Sequence, residues 1–387
     1  MGNVFAAKPI VNSRAGEAAK MAIWNERVRK CIHRLKPYIP GKPIEEVQRE
    51  LGLSDVIKLA SNENALGPSP KAVEAALRML SHAHLYPDDS CYRLKRAIAE
   101  RYRMPEECIL IGRGSDEILL HAALAFLEPG DEVIYAHPSF VMYSFVSALM
   151  DAKEHVVPLR DFTHDLDAMA ERVTERTKLI FIANPNNPTG TIVKEPQVRR
   201  FVESLPDGVL VIFDEAYCEY VEDESFPNTL DYIREGFGVL TLRTFSKVYG
   251  LAGLRIGYGF APPHIASLVA RVREPFNVSS IAQVAAEAAL QDEEHVERSK
   301  KLVADGKRTL YRAFDELGLK YVPTQANFIF VDLGMDSREA FKWLLKRGII
   351  IRTGEIFGMP TWARITIGKP EENERLIEAL RELLKCR

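Results

Sequence analysis

The chain has 387 residues, 47% hydrophobic and 27% charged, and its 51 basic and 54 acidic side chains leave a formal charge of −3. Such a length exceeds one core of about 150 residues, and the composition excludes a disordered or fibrous chain. The near-neutral balance withholds the basic surface that nucleic-acid binding needs, and five widely spaced cysteines (Cys31, Cys91, Cys108, Cys218, Cys386) make neither a metal knuckle nor a redox motif.

Taken from the start, residues 1–33 mix Lys, Arg and Glu with short apolar stretches, unlike a signal peptide, and no run of 18 uncharged apolar residues occurs anywhere. With cysteine usage that suits a reducing compartment, this predicts a cytoplasmic protein without a membrane span. The first 33 residues read as an arm, with a weakly amphipathic helix over 15–30, and residues 34–70 as a segment that packs with a later, smaller domain. From about residue 71, helical-period stretches alternate with short apolar runs: CILIG (108–112), EVIYA (132–136), LIFIA (179–183), VLVIF (209–213), VLTLR (239–243) and RIGY (255–258). Continuous β-rich runs of this kind are strands buried on both faces, so an α/β domain with a parallel sheet is expected over 71–275. Beyond it, over 276–387, longer helices centred on 281–317 with a break at Gln291, strands near 327–331 and 363–367, and a closing helix over 371–385 predict a smaller α+β domain, joined by the 55–60 segment.

Four of the predicted strands run into polar loops: RGSDE after Gly112, NPNNPTG after Ala183, DEAY after Phe213 and TFSK after Arg243. In a parallel sheet these loops share the carboxyl edge, where ligands bind. Gly112 to Glu117 precedes an apolar helix and offers free amides to an anion, although alone it reads more readily as an ordinary helix start with Ser115 as cap. Lys247 lies in a Gly-rich loop, where an amine can become imine-forming; by itself it reads as a surface lysine. Asp214 ends a very apolar strand, and a buried charge there needs a partner. A reactive Lys, a carboxylate, a phosphate cradle with Ser and Arg, and an Asn before a Pro-Thr-Gly turn together suit pyridoxal phosphate.

From about Arg34 onward the chain resembles the fold-type-I pyridoxal-phosphate aminotransferases, in their histidinol-phosphate aminotransferase branch. The segments that carry the resemblance include LKPYIPGKPIEE, KLASNENALGPSP, YPD, GSDEIL, PSFVMY, NPNNPTG, DEAY, RTFSKVYGLAGLRIGYG, EPFNVS, ANF and ARITIGKPEENERL. The resemblance implies a large domain with a mostly parallel seven-stranded sheet plus the smaller C-terminal domain. It also implies that Lys247 forms the imine, Asp214 pairs with the pyridine nitrogen, Tyr217 and Asn187 hydrogen-bond the 3-oxygen, and Phe140 stacks on the ring. The phosphate would sit against Ser115 and Asp116 with Ser246 and Arg255, and Tyr86 would reach it from a neighbouring subunit, so a homodimer with shared sites is implied. On the substrate side, Arg364 would clamp the α-carboxylate of glutamate, while Tyr38, Asn64 and Arg352 are candidates for a distal phosphate. Arg113, where a small polar residue is expected, and Ala65, where Pro is usual, depart from the pattern.

The activity so implied is transamination between glutamate and imidazole-acetol phosphate, giving histidinol phosphate and 2-oxoglutarate. The alternatives on the same residues are an aromatic amino-acid aminotransferase and, in another reaction class, a phosphoamino-acid decarboxylase. A non-catalytic sensor is disfavoured, because the imine lysine is present and no DNA-binding extension is.

Overall fold

Apolar runs as unbroken as LIFIA and VLVIF require cover on both faces, and the larger of two sheets provides it. The computed structural model describes residues 14–35, 37 and 41–385, with side chains from residue 21 onward. It divides into two units, 1–38 and 39–387. In the first, the arm helix runs over Arg14–Arg27 and is followed by a 3-10 turn at Lys30–Arg34.

The second unit contains twelve described strands: β1 (Ile57–Leu59), β2 (Ile109–Gly112), β3 (Glu132–His137), β4 (Lys153–Pro158), β5 (Thr177–Ala183), β6 (Leu210–Asp214), β7 (Val239–Thr244), β8 (Gly257–Phe260), β9 (Lys320–Val322), β10 (Phe328–Asp332), β11 (Ile349–Thr353) and β12 (Trp362–Thr366). Seven of them form one sheet in the order β2-β8-β7-β6-β5-β3-β4. It is mostly parallel, as expected, with β8 antiparallel to both β2 and β7. The fully buried side chains Phe181, Phe213, Tyr258 and Phe260 fill the layers on either side of it.

Strand β4 escapes the sequence reading because it lies at the sheet edge, where KEHVVP buries only Val157 and therefore lacks an apolar run. The second sheet has the order β1-β11-β12-β10-β9, and its β1, from the 55–60 segment, runs parallel to β11 while the other pairs are antiparallel.

Helix boundaries follow local chemistry. Ser279 caps the helix Ser280–Leu290 by accepting the Ala282 N–H at 3.2 Å. The chain breaks at Gln291 and restarts as Glu293–Glu316, with two glutamates in the first turn where the helix dipole favours them. Among the described residues, no helix is long and apolar enough to cross a membrane, and no group of three or more His, Cys, Asp or Glu is arranged to hold a metal ion.

Candidate active site

Because β2, β5, β6 and β7 run in one direction, their carboxyl ends and the four polar loops open on the same edge of the sheet. Asp214, the last residue of β6, sits opposite Ala183 on β5 and Leu242 on β7. Its carboxylate is buried and meets neutral donors: Oδ1 accepts the Ala216 N–H at 3.2 Å, and Oδ2 accepts the Tyr143 O–H at 3.1 Å. Among the described residues no Lys, Arg or His forms an ion pair with it. Burial, and then the nearby charge of Asp116, push the Asp214 carboxyl up to about 6, against the pull of Tyr143, the Ala216 N–H and Lys247. A carboxylate in that condition attracts a cation.

Lys247 stands just beyond β7, half-buried, with Nζ donating to the Ser61 carbonyl at 3.2 Å and lying 5.4 Å from the centre of the Tyr217 ring. The Tyr217 hydroxyl accepts the Asn62 amide N–H at 2.9 Å, which leaves the phenolic proton available to another acceptor. Arg364, on β12, donates through Nη1 to Asn187 Oδ1 and through Nη2 to the Ala60 carbonyl, each at 2.6 Å. Arg364 thereby turns the Asn187 amide so that its N–H donors point elsewhere, and two separate loops present hydrogen-bond donors, from Tyr217 and Asn187.

The Gly-rich turn after β2 packs against the other end of this site. Gly114 takes φ 82°, and the helix Ser115–Phe126 starts at the next residue. Arg255, itself in the left-handed region at φ 52°, places Nη2 only 2.8 Å from where a Gly114 Cβ would stand, and Nη1 3.5 Å from Ser246 Oγ. At Gly257 a Cβ would lie 2.5 Å from the Ser115 nitrogen. The helix start, Ser246 and Arg255 thus come together because glycine allows strand and loop to touch. Asp116 is 3.8 Å from Arg255. The unexpected Arg113 turns away from this cradle: its backbone N–H and guanidinium bond Glu117, and Nη2 bonds Glu274 at 2.7 Å. Ala65 makes no contact that assigns it a role.

The remaining expected residues are distributed more widely. Phe140 stands edge-on to Tyr143, with ring centres 5.8 Å apart. Tyr86 is 83% exposed and stacked on Phe276 at 4.8 Å, at the surface of its own chain. Arg352 on β11 is paired directly opposite Arg364 on β12. Asn64 donates both amide hydrogens inside the chain, to the Val248 carbonyl and Ser299 Oγ at 2.8 Å each, while Oδ1 accepts the Leu66 N–H at 2.9 Å. Through these bonds Asn64 ties its segment to the lysine loop. Tyr38 lies outside the described residues.

Two participants were missed. Asn62, in the left-handed region at φ 56°, bonds Tyr217, and Thr366 holds it in place by accepting its backbone N–H at 2.9 Å. The Asn-rich SNEN stretch carried the signal, since Asn tolerates that backbone and bonds locally. Tyr143 was visible only as the last residue of PSFVMY.

The donor set fits pyridoxal phosphate. A buried carboxylate without a cation suits a pyridinium nitrogen, a half-buried amine suits its aldehyde, and a helix start flanked by Ser and Arg suits its phosphate.

Comparison with known proteins agrees. Residues 54–380 match the family "Aminotransferase class I and II". The histidinol-phosphate aminotransferase of Moorella thermoacetica is 55% identical over 359 residues, covering 92% of this chain and 93% of that one. That of Caldicellulosiruptor saccharolyticus is 46% identical over 356 residues, covering 92% and 99%. Among solved structures, histidinol-phosphate aminotransferase from Sinorhizobium meliloti, in complex with pyridoxal-5'-phosphate, superposes with a TM-score of 0.87 at 29% identity, covering 93% of this chain and 98% of that one. The chain therefore belongs to the class I and II aminotransferases, in their histidinol-phosphate branch, and its cofactor is pyridoxal phosphate.

Proposed function

We propose that this chain transfers an amino group between glutamate and imidazole-acetol phosphate, giving histidinol phosphate and 2-oxoglutarate in histidine biosynthesis. The observation that carries this reading is the buried Asp214 at the same sheet edge as Lys247, with the paired arginines Arg352 and Arg364 on adjacent strands. Residues directly opposite on neighbouring strands share a face of the sheet, so this pair offers two cationic side chains to a substrate with anionic groups.

Bound through its aldehyde carbon to an amine, pyridoxal phosphate withdraws electrons and makes the α-carbon hydrogen of an amino substrate acidic. Lys247 would supply the amine that holds the cofactor and a base able to move a proton at the substrate α-carbon, a role worth about 10²–10⁴ in rate. Asp214 keeps the ring nitrogen protonated. Tyr217 and Asn187 donate to the 3-oxygen, Phe140 stacks on the ring, and Ser115, Asp116, Ser246 and Arg255 receive the phosphate. Arg364 presents a planar fork to a carboxylate. Arg352 meets a distal phosphate, and Asn64 serves by positioning the lysine loop.

We also read the chain as a homodimer, with Tyr86 reaching the partner's cofactor phosphate. Supporting this, Val73, Leu77, Leu80, Leu85 and Phe276 are exposed together with Tyr86. We assign the cofactor-holding domain to 71–275 and the smaller domain to 276–387, with 34–70 attached to the latter. The free thiols of Cys91, Cys108 and Cys218 support a cytoplasmic location.

The test is a set of single-turnover half-reactions with histidinol phosphate, phenylalanine and tyrosine. Histidinol phosphate should react fastest, Arg352→Ala should weaken it far more than phenylalanine, and Lys247→Ala should neither colour nor turn over. Equal losses for both substrates would favour the aromatic aminotransferase, and a Lys247→Ala protein that still cycles amino groups would end the proposal. The names borne by relatives at 44–55% identity favour the histidinol-phosphate reading over the aromatic one.

A further inference from the structure

Both oxygens of Asp214 are engaged, but only one of the two donors belongs to another element. The Ala216 N–H comes from the turn that follows β6, whereas the Tyr143 O–H arrives from the helix Met142–Leu149. Tyr143 is wholly buried. Its ring lies face to face with Phe181 at 5.1 Å and 2°, and edge-on to Phe140 at 5.8 Å and 84°. A phenol clamped by aromatic neighbours in a packed interior keeps one orientation, so its O–H stays aimed at the carboxylate.

We propose that Tyr143 is a positioning residue for the transamination: its hydroxyl fixes the Asp214 carboxylate and holds it in the charged form, and its edge contact with Phe140 links that carboxylate to the side chain stacked on the cofactor ring. This rests on the reading of Asp214 and Phe140 as cofactor contacts.

The electrostatics favour a neutral donor in this place. Burial and the charge of Asp116, at the start of the helix Ser115–Phe126, both work against a charged Asp214, while Lys247 from the loop after β7 works for it. Without its hydrogen bonds the carboxyl would become neutral and would no longer attract a pyridinium. A Lys or Arg in place of Tyr143 would keep it ionised but cancel its charge. A phenol stabilises the anion through a charge-assisted hydrogen bond and leaves the full negative charge for the ring.

The experiment reads the Asp214 carboxyl directly in cofactor-free protein containing carboxyl-13C aspartate, with the Asp214 signal assigned by its loss in Asp214→Asn. In Tyr143→Phe, which keeps the stacked ring, the titration midpoint should rise from about 6 by about 1–2 pH units, the effect of losing one hydrogen bond to a charged group. An unmoved midpoint in the folded variant overturns the proposal. Should Tyr143→Phe fail to fold, 13Cζ-tyrosine spectra of the wild type decide instead: one tyrosine signal should follow the Asp214 midpoint and lose that dependence in Asp214→Asn, and the absence of any such signal overturns the proposal. Failure of the underlying reading looks different. If Asp214→Asn binds pyridoxal phosphate with unchanged affinity and absorbance, Asp214 is not the ring's partner, whatever Tyr143 does to its titration.

Discussion

Gly257→Ala adds one methyl group where β8 crosses the start of the helix Ser115–Phe126. The new Cβ would stand 2.5 Å from the Ser115 nitrogen, 2.7 Å from the Gly114 carbonyl carbon and 3.0 Å from the Arg243 oxygen. Carbon needs about 3.5 Å to such neighbours, so the Gly114–Ser115 turn must retreat by about 1 Å. All three atoms are backbone, so no side-chain rotation relieves the contact. The Gly257 backbone is not in the left-handed region, so alanine suffers no conformational penalty and the effect is steric. Overpacking of this kind costs about 1–3 kcal/mol. Because the atoms forced to move belong to the proposed phosphate cradle, the loss should appear in cofactor binding, as a dissociation constant about 5–150 times higher at 25 °C. The assay is absorbance titration of cofactor-free enzyme with pyridoxal phosphate, run beside a melting curve. Gly253→Ala is the control, since nothing lies within 4 Å of its added Cβ, and it should match the wild type. A Gly257→Ala enzyme that binds cofactor as tightly as that control would refute the reasoning.

Removing the charge of Asp214 should stabilise the cofactor-free protein. Its carboxyl, raised to about 6 in the fold, binds its proton more tightly there than in the unfolded chain, where about 3.9 is usual. Stability from this group is thus full below about 4 and lost as pH rises through 6. Asp214→Asn should therefore be more stable at pH 8 by on the order of 2–3 kcal/mol, with the gap closing toward pH 4; a variant less stable at pH 8 contradicts this. His164 runs the opposite way. Burial lowers its imidazole to about 4, although Nε2–H donates to the Ala183 carbonyl at 3.0 Å. Its stabilising contribution is present above about 6.5 and lost as pH falls toward 4, about 3 kcal/mol in all. Denaturant titrations of His164→Gln should show a flatter pH dependence across that interval, and an unchanged slope would count against a neutral buried imidazole. Arg364→Lys retains charge but loses the fork that grips Asn187 and Ala60. Its kcat/KM for glutamate should fall at least about 100-fold, and a loss under tenfold would rule out a bidentate role. Arg113→Asn should leave cofactor affinity within about threefold and cost at most about 1 kcal/mol of stability, because its half-exposed guanidinium serves Glu117 and Glu274. A tenfold change in affinity would place Arg113 in the cradle after all.

Much was legible in the chain itself. Strands buried on both faces must be apolar throughout, so five parallel strands of the larger sheet and β8 could be read as runs, and the polar loops at four strand ends marked the ligand edge. Lys247, Asp214, Asn187 and Arg255 lie in those loops or beside them. Strand β4 was not legible, because an edge strand has one wet side and no compositional signature, nor was the direction of β8, which depends on which neighbours it joins. Asn64 shows a similar limit: a side-chain amide looks the same in sequence whether it faces a ligand or bonds Val248, Ser299 and Leu66.

The order of residues thus determined which chemical groups this protein owns and the strand ends from which most of them project, since burial and turn formation depend on neighbours a few positions away. Only the folded chain decided their pairing. The bonds between Arg364 and Asn187, Asn62 and Tyr217, and Tyr143 and Asp214 span 177, 155 and 71 positions, and contacts across such distances depend on how sheets and helices pack, which local pattern does not encode.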